Sequence, residues 1–250
     1  MFNNGIFIIS IILMTGGCEK GKIKEKSPTN AQPIEHTKWN KLLNKHVNEK
    51  GKVTYKAFIK DTVQLKEYLN ELSTSHPHKG WSKKQRKAYW INAYNAFTIS
   101  LILKHFPVNS IRDIGPIYKT PWKIKFIEIE GKEYSLGDIE HRILRANYGD
   151  PRIHYAINCA SVSCPPLRKE AYKAEKLDEQ LNDQAERFIN DSSRNKISKK
   201  EVNLSQIYDW FSEDFKKDGG IIEHINKYSE TKVNKNAAIE YCNYNWQLNN

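Results

Sequence analysis

Apolar side chains recur at helical spacing over much of this chain. The strongest repeat lies in residues 82–105, where Ile91, Tyr94 and Thr98 fall on one face and a second apolar stripe lies beside them. Ser82 stands in the position of an N-cap. A helix that is apolar over so much of its circumference is predicted to be central and largely buried. The same spacing predicts further helices at 39–47, 58–72, 135–147, 177–190 and 205–215.

Fewer segments have the pattern of a strand. Residues 122–130, 152–157, 197–204 and 239–248 are predicted to be extended, and Gly, Pro or polar clusters separate them from the helices. No internal repeat is evident. Many helices with few strands predict the α+β class, as a helix-rich single domain around a small, mainly antiparallel sheet.

The N-terminus differs from the rest of the chain. Residues 5–14 are nearly all apolar and lead into Thr15, Gly16, Gly17 and Cys18. A run of this length is too short to span a bilayer and ends at small residues, as a secretory signal does. The segment resembles a bacterial lipoprotein cleavage box, which implies cleavage before Cys18 and attachment of diacylglycerol to its sulfur. The alternatives are an ordinary signal peptide and a buried N-terminal strand.

These features divide the chain into three parts. Residues 1–17 are predicted to be a lipoprotein signal peptide. Residues 18–35, which are rich in Lys, Glu, Ser and Pro, are predicted to be a flexible tether. Residues 36–250 are long enough for a single globular domain with its own core. The expected location is the bacterial cell envelope, facing the periplasm or the exterior, with a membrane contacted through the lipid on Cys18.

The formal net charge is +11. A basic surface can approach anionic lipids or other polyanions, but a solvated, lysine-rich surface explains the charge without any partner. Neither an aromatic-and-basic stripe nor a helix signature indicates nucleic-acid binding. We therefore expect no nucleic acid and no cofactor, and as ligand an unknown small molecule or peptide.

Candidate chemistry is concentrated in HYAINCASVSCPP at 154–166. A predicted strand ends there in a turn of small residues that carries Cys159, where backbone N–H groups can favour the reactive thiolate. Cys159 is the predicted nucleophile, with His141 or His154 as its base. His154 can meet the thiol only if the chain bends, because residues five apart on a strand face opposite sides. His141, on the preceding helix, can reach the strand end if the two elements pack together.

The same cysteine has other interpretations. Cys159 and Cys164 enclose four residues, a spacing that a loop can close into a disulfide and a regular helix cannot. Such a pair would make the chain a thiol redox protein. A zinc site that adds His141 and His154 matches no familiar spacing, and no metal is predicted. A cysteine at a strand end is also often a small buried hydrophobic side chain.

Asn92, Asn95 and Glu140 suit supporting roles. The two asparagines lie three residues apart and so share a side of the central helix. An amide can orient an imidazole or donate to a developing oxyanion. Alternatively, these residues form a structural network that joins the helix to the sheet. In either case we expect Asn95 to be buried and hydrogen-bonded.

Four ordered motifs resemble the family called domain of unknown function 547. They are YWINAYNA at 89–96, DIEHRILR at 138–145, HYAINCASVSCP at 154–165 and YNWQLN at 244–249. The resemblance covers most of the chain after the tether and brings no settled activity. It implies that the family's shared core includes Asn92, Asn95, Glu140, His141, His154 and Cys159.

The leading hypothesis is an envelope-anchored, cysteine-dependent acyl transferase or amide hydrolase, with a papain-like or transglutaminase-like form of the α+β fold. In it Cys159 attacks, one of the two histidines accepts the thiol proton, and Asn92 or Asn95 orients the pair or steadies the oxyanion. The alternatives are a non-enzymatic binding module with a polar Asn/His/Cys core and a thiol redox protein. A pocket opening onto Cys159 would favour the enzyme, whereas the redox protein requires Cys159 and Cys164 within bonding reach.

Overall fold

Helices dominate the computed structural model, which describes residues 21–250. The α-helices are α1 (Thr37–His46), α2 (Tyr55–Phe58), α3 (Thr62–Thr74), α4 (Lys83–His105), α5 (Ala146–Tyr148), α6 (Ile153–Ala156), α7 (Leu177–Ile189), α8 (Ile207–Trp210), α9 (Ser212–Phe215) and α10 (Ile221–Tyr228). A π-helix, Asp138–Arg145, runs directly into α5. The predicted signal peptide and Cys18 lie outside the described residues. Over residues 21–250, no helix is both long enough and apolar enough to cross a membrane.

The strands form two small, separate sheets. They are β1 (Ile127–Ile129), β2 (Lys132–Tyr134), β3 (Lys196–Ile197), β4 (Glu201–Leu204) and β5 (Ala238–Tyr241). β1 and β2 make an antiparallel hairpin, β3 pairs antiparallel with β4, and β4 pairs parallel with β5. The predicted helix-rich α+β class is confirmed.

The central helix α4 forms as its pattern predicts. The Ser82 hydroxyl accepts from the backbone N–H of Gln85 at 3.1 Å, and the Gln85 side chain accepts from the Ser82 N–H at 2.7 Å. This capping box satisfies two donors that the first helical turn leaves unpaired. Residues on every side of the helix, among them Tyr89, Ile91 and Ala96, are buried. α4 is therefore the element around which the larger core packs.

The predicted strand at 152–157 is wrong, because most of this segment is the helix α6. The preceding Asp150-Pro151 starts a helical turn. The Asp150 carboxylate accepts from the Arg152 N–H at 3.0 Å, and the Asp150 carbonyl accepts from the Ile153 N–H at 3.2 Å. Aspartate followed by proline is a favourable helix start, and it outweighs the strand preference of the residues that follow.

Residues 21–35, most of the predicted tether, lie against the domain. The Ile23 N–H donates to the Arg142 carbonyl at 3.1 Å, and Lys26 forms an ion pair with Glu130. The Trp81 indole donates to the Ala31 carbonyl at 2.7 Å. The division between tether and domain at residue 36 stays a prediction.

Helix α6 lies between two hydrophobic cores. Ile153 and Ala156 belong to the larger core around α4, whereas Tyr155 belongs to a second, aromatic core built mainly from residues of α7 to α10. The Tyr155 ring packs 5.3 Å from Phe188 and 5.7 Å from His224, measured between ring centroids. Since both faces of α6 are held, the chain leaves it toward Cys159 from a fixed point.

Asp150 connects α4 to the start of α6. Its carboxylate forms an ion pair with Lys87, whose side chain is 9% exposed, and accepts from the Arg152 guanidinium at 2.8 Å. Although burial favours the neutral carboxyl, the hydrogen bonds from Arg152 and the charge of Lys87 hold the pKa of Asp150 well below its ordinary value.

We expect Asp150→Asn to lower the free energy of unfolding by about 3 kcal/mol at neutral pH, because it leaves the Lys87 ammonium buried without a counter-charge. A depressed folded-state pKa means that the stabilisation is complete above the unfolded value of about 3.9 and is lost as pH falls below it. Urea unfolding of both proteins at about pH 7 and about pH 2.5 measures this. The difference should shrink at the lower pH, and a constant difference would contradict the assignment.

Candidate functional site

Asn158 organises the loop that follows α6. Its Oδ1 accepts from the Ala160 N–H at 2.8 Å, and its Nδ2 donates to the Pro165 carbonyl at 2.7 Å. Ala160 has a φ of 61°, in the left-handed region that reverses the chain. One buried amide thereby joins the two ends of the loop and brings Cys159 close to Cys164.

Cys159 and Cys164 form a disulfide, with their Cα atoms 6.1 Å apart. The bond meets the requirement of the redox hypothesis. It also leaves Cys159 without the free thiol that the hydrolase hypothesis needs. The two sulfurs differ in their surroundings. Cys164 is 2% exposed, whereas Cys159 is only half-buried. An incoming reagent therefore meets Cys159 first.

Hydroxyl groups surround the two sulfur atoms. The Tyr244 hydroxyl lies 3.4 Å from each of them. Ser161, which is buried, places its Oγ 3.4 Å from the Cys159 sulfur and donates to the Tyr244 hydroxyl at 3.3 Å. The backbone N–H of Cys159 donates to the Cys164 sulfur at 2.9 Å. Two donors, the Tyr244 hydroxyl and the Cys159 N–H, thus converge on the disulfide, and Ser161 supports the first of them.

Residues 244–250, which we call the C-terminal strap, run antiparallel to this loop. The Val162 N–H donates to the Gln247 carbonyl at 2.8 Å, and the Asn249 N–H donates to the Ala160 carbonyl at 3.2 Å. The strap carries Tyr244 to the disulfide. The sequence predicts this segment to be extended but gives no sign that it reaches Cys159. The available signal is YNWQLN at 244–249, one of the four motifs on which the sequence resemblance rests.

Trp122, Trp210, Tyr244 and Trp246 form an aromatic cluster beside the disulfide. Tyr244 packs 4.8 Å from Trp210 and 4.6 Å from Trp246 between ring centroids, and Trp122 packs 5.7 Å from Trp246. The Arg112 guanidinium lies 5.3 Å from the Trp246 ring, close enough for a cation–π contact. Trp210 is 39% exposed, so the cluster reaches solvent.

Glu140 is connected to this cluster through Tyr94. Glu140 lies on the π-helix, a rare conformation that occurs frequently at functional sites. Its carboxylate accepts from the Tyr94 hydroxyl at 3.3 Å, and that hydroxyl accepts from the Trp122 indole at 3.1 Å. Burial, reinforced by the Glu140 charge, raises the pKa of Tyr94 well above its ordinary value. Tyr94 therefore remains a hydrogen-bond donor to the carboxylate.

The two candidate histidines belong to a different group of side chains. His154 is buried, stacks on Phe211 with centroids 4.1 Å apart, and donates from Nε2 to Asp214 at 2.7 Å. His141 is exposed and accepts from Arg145 at 3.0 Å through Nδ1, and Arg145 in turn donates to Asp214 at 2.6 Å. Neither histidine is hydrogen-bonded to Cys159 in the described part of the chain. Their assignment as a catalytic base stays a prediction.

Asn92 and Asn95 each bind backbone with both ends of the amide. Asn92 donates to the Tyr172 carbonyl at 2.8 Å and accepts from the Tyr172 N–H at 3.0 Å. Asn95 donates to the Ala156 carbonyl at 2.9 Å and accepts from the Asn158 N–H at 2.8 Å. Asn95 is 2% exposed, so its predicted burial and hydrogen bonding are confirmed. Both amides therefore make the kind of contacts expected of a structural network, in which they bind backbone groups of neighbouring segments.

Comparison with known proteins adds one finding. Residues 78–189 match the profile of a family described as Protein of unknown function, DUF547. This central part of the chain is therefore similar to the DUF547 family. Neither a curated protein nor a solved structure matches the chain, so the papain-like or transglutaminase-like arrangement stays a prediction. Within residues 21–250, no group of three or more His, Cys, Asp or Glu side chains is arranged to hold a metal ion.

The matched DUF547 segment contains only part of the site. The disulfide loop, Asn95 and Glu140 lie inside it, whereas Trp210 and Tyr244 come from beyond residue 189. The polar core of the matched segment therefore positions the two sulfurs, and the C-terminal strap supplies the hydroxyl that faces them.

Replacing Asn95 with leucine should cost about 1–3 kcal/mol of unfolding free energy, because the Ala156 carbonyl and the Asn158 N–H lose their buried partner. Chemical unfolding measures the change. Asn44→Leu, on the exposed side of α1, is the matched control and should be close to neutral. Equal effects of the two substitutions would mean that the Asn95 amide does not hold the loop.

Proposed function

We propose that this protein is a thiol redox protein of the bacterial cell envelope, in which the Cys159–Cys164 disulfide accepts electrons from a dithiol. The observation that carries the proposal is the unequal exposure of the two cysteine residues, with Cys159 half-buried and Cys164 buried. In thiol–disulfide exchange the incoming thiolate attacks the accessible sulfur, and access helps to set the rate. A purely structural disulfide has no need of an accessible sulfur.

The reaction balances with the two sulfurs and the dithiol alone. One substrate thiolate attacks the Cys159 sulfur, the bond to Cys164 breaks, and Cys164 departs as a thiolate. The second substrate thiolate then attacks the substrate sulfur of the mixed disulfide and releases Cys159. The substrate dithiol is oxidised to a disulfide. The protein takes up the two electrons and two protons, which convert its disulfide into two thiols. A second disulfide compound reverses the exchange and restores the protein.

The surroundings of Cys159 suit a peptide dithiol. Val162, inside the loop, is 37% exposed, and Trp210 of the aromatic cluster is 39% exposed. Apolar and aromatic side chains beside a reactive group give a peptide a surface to contact. The ligand expected from the sequence, a small molecule or peptide, is then a dithiol.

Hydrolysis by Cys159 is less well supported. A cysteine hydrolase needs a free thiol with an imidazole beside it. His154 is paired with Asp214 and His141 with Arg145, and the neighbours of the Cys159 sulfur are Ser161 and Tyr244.

Location in the envelope is part of the same proposal. The apolar run at 5–14 followed by Gly16, Gly17 and Cys18 supports export and lipid attachment. A disulfide between Cys159 and Cys164 is consistent with it, because disulfides persist in exported compartments and are rare in the cytosol.

The exchange proposal predicts that dithiothreitol reduces Cys159–Cys164 in the folded, full-length protein, and that replacing it with a disulfide compound such as oxidised glutathione restores the bond. Thiol counting with mass-spectrometric mapping follows both steps. Cys242→Ser is the matched control, because Cys242 is outside the pair and should not affect either step. If the bond were reduced only after the protein is unfolded, the disulfide would be structural and the proposal would fail.

Lipid attachment predicts that the protein partitions with membranes and incorporates labelled fatty acid, and that Cys18→Ala abolishes both. Expression in a bacterium with a labelled fatty acid, followed by membrane fractionation, measures the two properties. Cys242→Ala should retain both. Unchanged labelling of the Cys18→Ala protein would exclude the anchor.

A further inference from the structure

We infer that Tyr244 is a catalytic residue of the exchange, and that Cys164 is the sulfur that leaves as a thiolate. The inference rests on the proposed function. It names the atoms that stabilise the charge formed when the disulfide breaks: the Tyr244 hydroxyl and the backbone N–H of Cys159.

The donors are distributed unequally between the two sulfurs. Cys164 receives the Cys159 N–H at 2.9 Å and the Tyr244 hydroxyl at 3.4 Å. Cys159 has only hydroxyl neighbours, Tyr244 and Ser161, each at 3.4 Å. The backbone fixes the direction of the Cys159 N–H, so this donor points to the Cys164 sulfur and not to the Cys159 sulfur. Charge that develops on Cys164 is therefore better stabilised than charge that develops on Cys159.

These contacts strengthen during the reaction. A disulfide sulfur carries no charge and accepts hydrogen bonds weakly, whereas a thiolate is an ionised acceptor. An interaction that is stronger in the transition state than in the ground state accelerates the chemical step. The donors around Cys164 are already aimed at the sulfur before the bond breaks, as in an oxyanion hole.

Ser161 and the aromatic cluster hold the Tyr244 hydroxyl in place. Ser161 donates to the Tyr244 oxygen at 3.3 Å, which leaves the phenolic hydrogen free to point toward the sulfur. The ring is packed between Trp210 and Trp246. Burial raises the pKa of Tyr244 above its ordinary value, so the hydroxyl stays protonated where the exchange operates.

Access and donation assign opposite roles to the two cysteines. The substrate thiolate attacks the half-buried Cys159, and the electron pair of the broken S–S bond moves to Cys164. Tyr244 keeps its proton and stabilises this thiolate by hydrogen bonding. A lower thiol pKa makes a better leaving group, so donors on Cys164 speed the first step.

The test is Tyr244→Phe in the full chain, which keeps the ring contacts and removes only the hydroxyl. We expect dithiothreitol to reduce the variant about tenfold more slowly, and the Cys164 thiol of the reduced variant to show a pKa higher by about 1. Stopped-flow reduction and the pH dependence of Cys164 alkylation, mapped by mass spectrometry, give the two values. Tyr241→Phe, on β5 three residues earlier, is the matched control and should leave both unchanged.

A second measurement needs no variant. A monothiol such as glutathione, quenched with acid and an alkylating reagent, should be found on Cys159, with the alkyl group on Cys164. Finding the monothiol on Cys164 would overturn the assignment of the leaving sulfur, even if Tyr244→Phe did not fold.

The outcomes distinguish the proposed redox function from the catalytic role of Tyr244. If the wild-type disulfide resists every thiol in the folded protein, the proposed function fails. If the wild type is reduced and Tyr244→Phe matches it in rate and in Cys164 pKa, the role of Tyr244 fails while the redox function stands.

Discussion

The hydrogen bonds between Asn95 and the backbone around Asn158 are the constraint on which the site depends. Asn95 lies on α4, at the centre of the larger core, and binds the Ala156 carbonyl and the Asn158 N–H, at 2.9 Å and 2.8 Å. Asn158 then uses its own amide to close the disulfide loop. Each of these groups is buried, so an unpaired one would cost about 1–3 kcal/mol. The loop is thus positioned by hydrogen bonds whose loss would lower the stability of the fold.

The sequence predicts the parts of this arrangement that depend on local chemistry. The capping signal at Ser82 and the apolar stripes locate α4. The predicted helix at 135–147 likewise begins with a reciprocal cap between Ser135 and Asp138, with hydrogen bonds of 3.0 Å and 3.1 Å. Burial of Asn95 follows from its position beside an apolar stripe. These inferences hold because caps and periodicity act over a few residues.

The sequence does not predict contacts between residues that lie far apart along the chain. The sequence predicts His154 on a strand, but Asp150 and Pro151 start a helix there, and Asp214, sixty residues away, binds the imidazole. Tyr244 is 80 residues from Cys164 and reaches it only because β5 and the C-terminal strap return along the loop. A single sequence gives no measure of such proximity, so spacing along the chain could not decide between His141 and His154 as the neighbour of Cys159.

The loop is closed in two separate ways, by the Asn158 amide and by the disulfide, so it could stay ordered during the proposed exchange. The bonds from Asn158 to Ala160 and Pro165 close the loop without involving either cysteine. Breaking the S–S bond therefore removes one closure of the loop and leaves the other. The two thiols would stay near each other at a high effective concentration, so that when a disulfide compound forms a mixed disulfide with one of them, the other displaces it and restores the bond. A loop closed by the disulfide alone would open on reduction and lose that advantage, so in the proposed exchange the polar core contributes through position rather than by taking part in the chemistry.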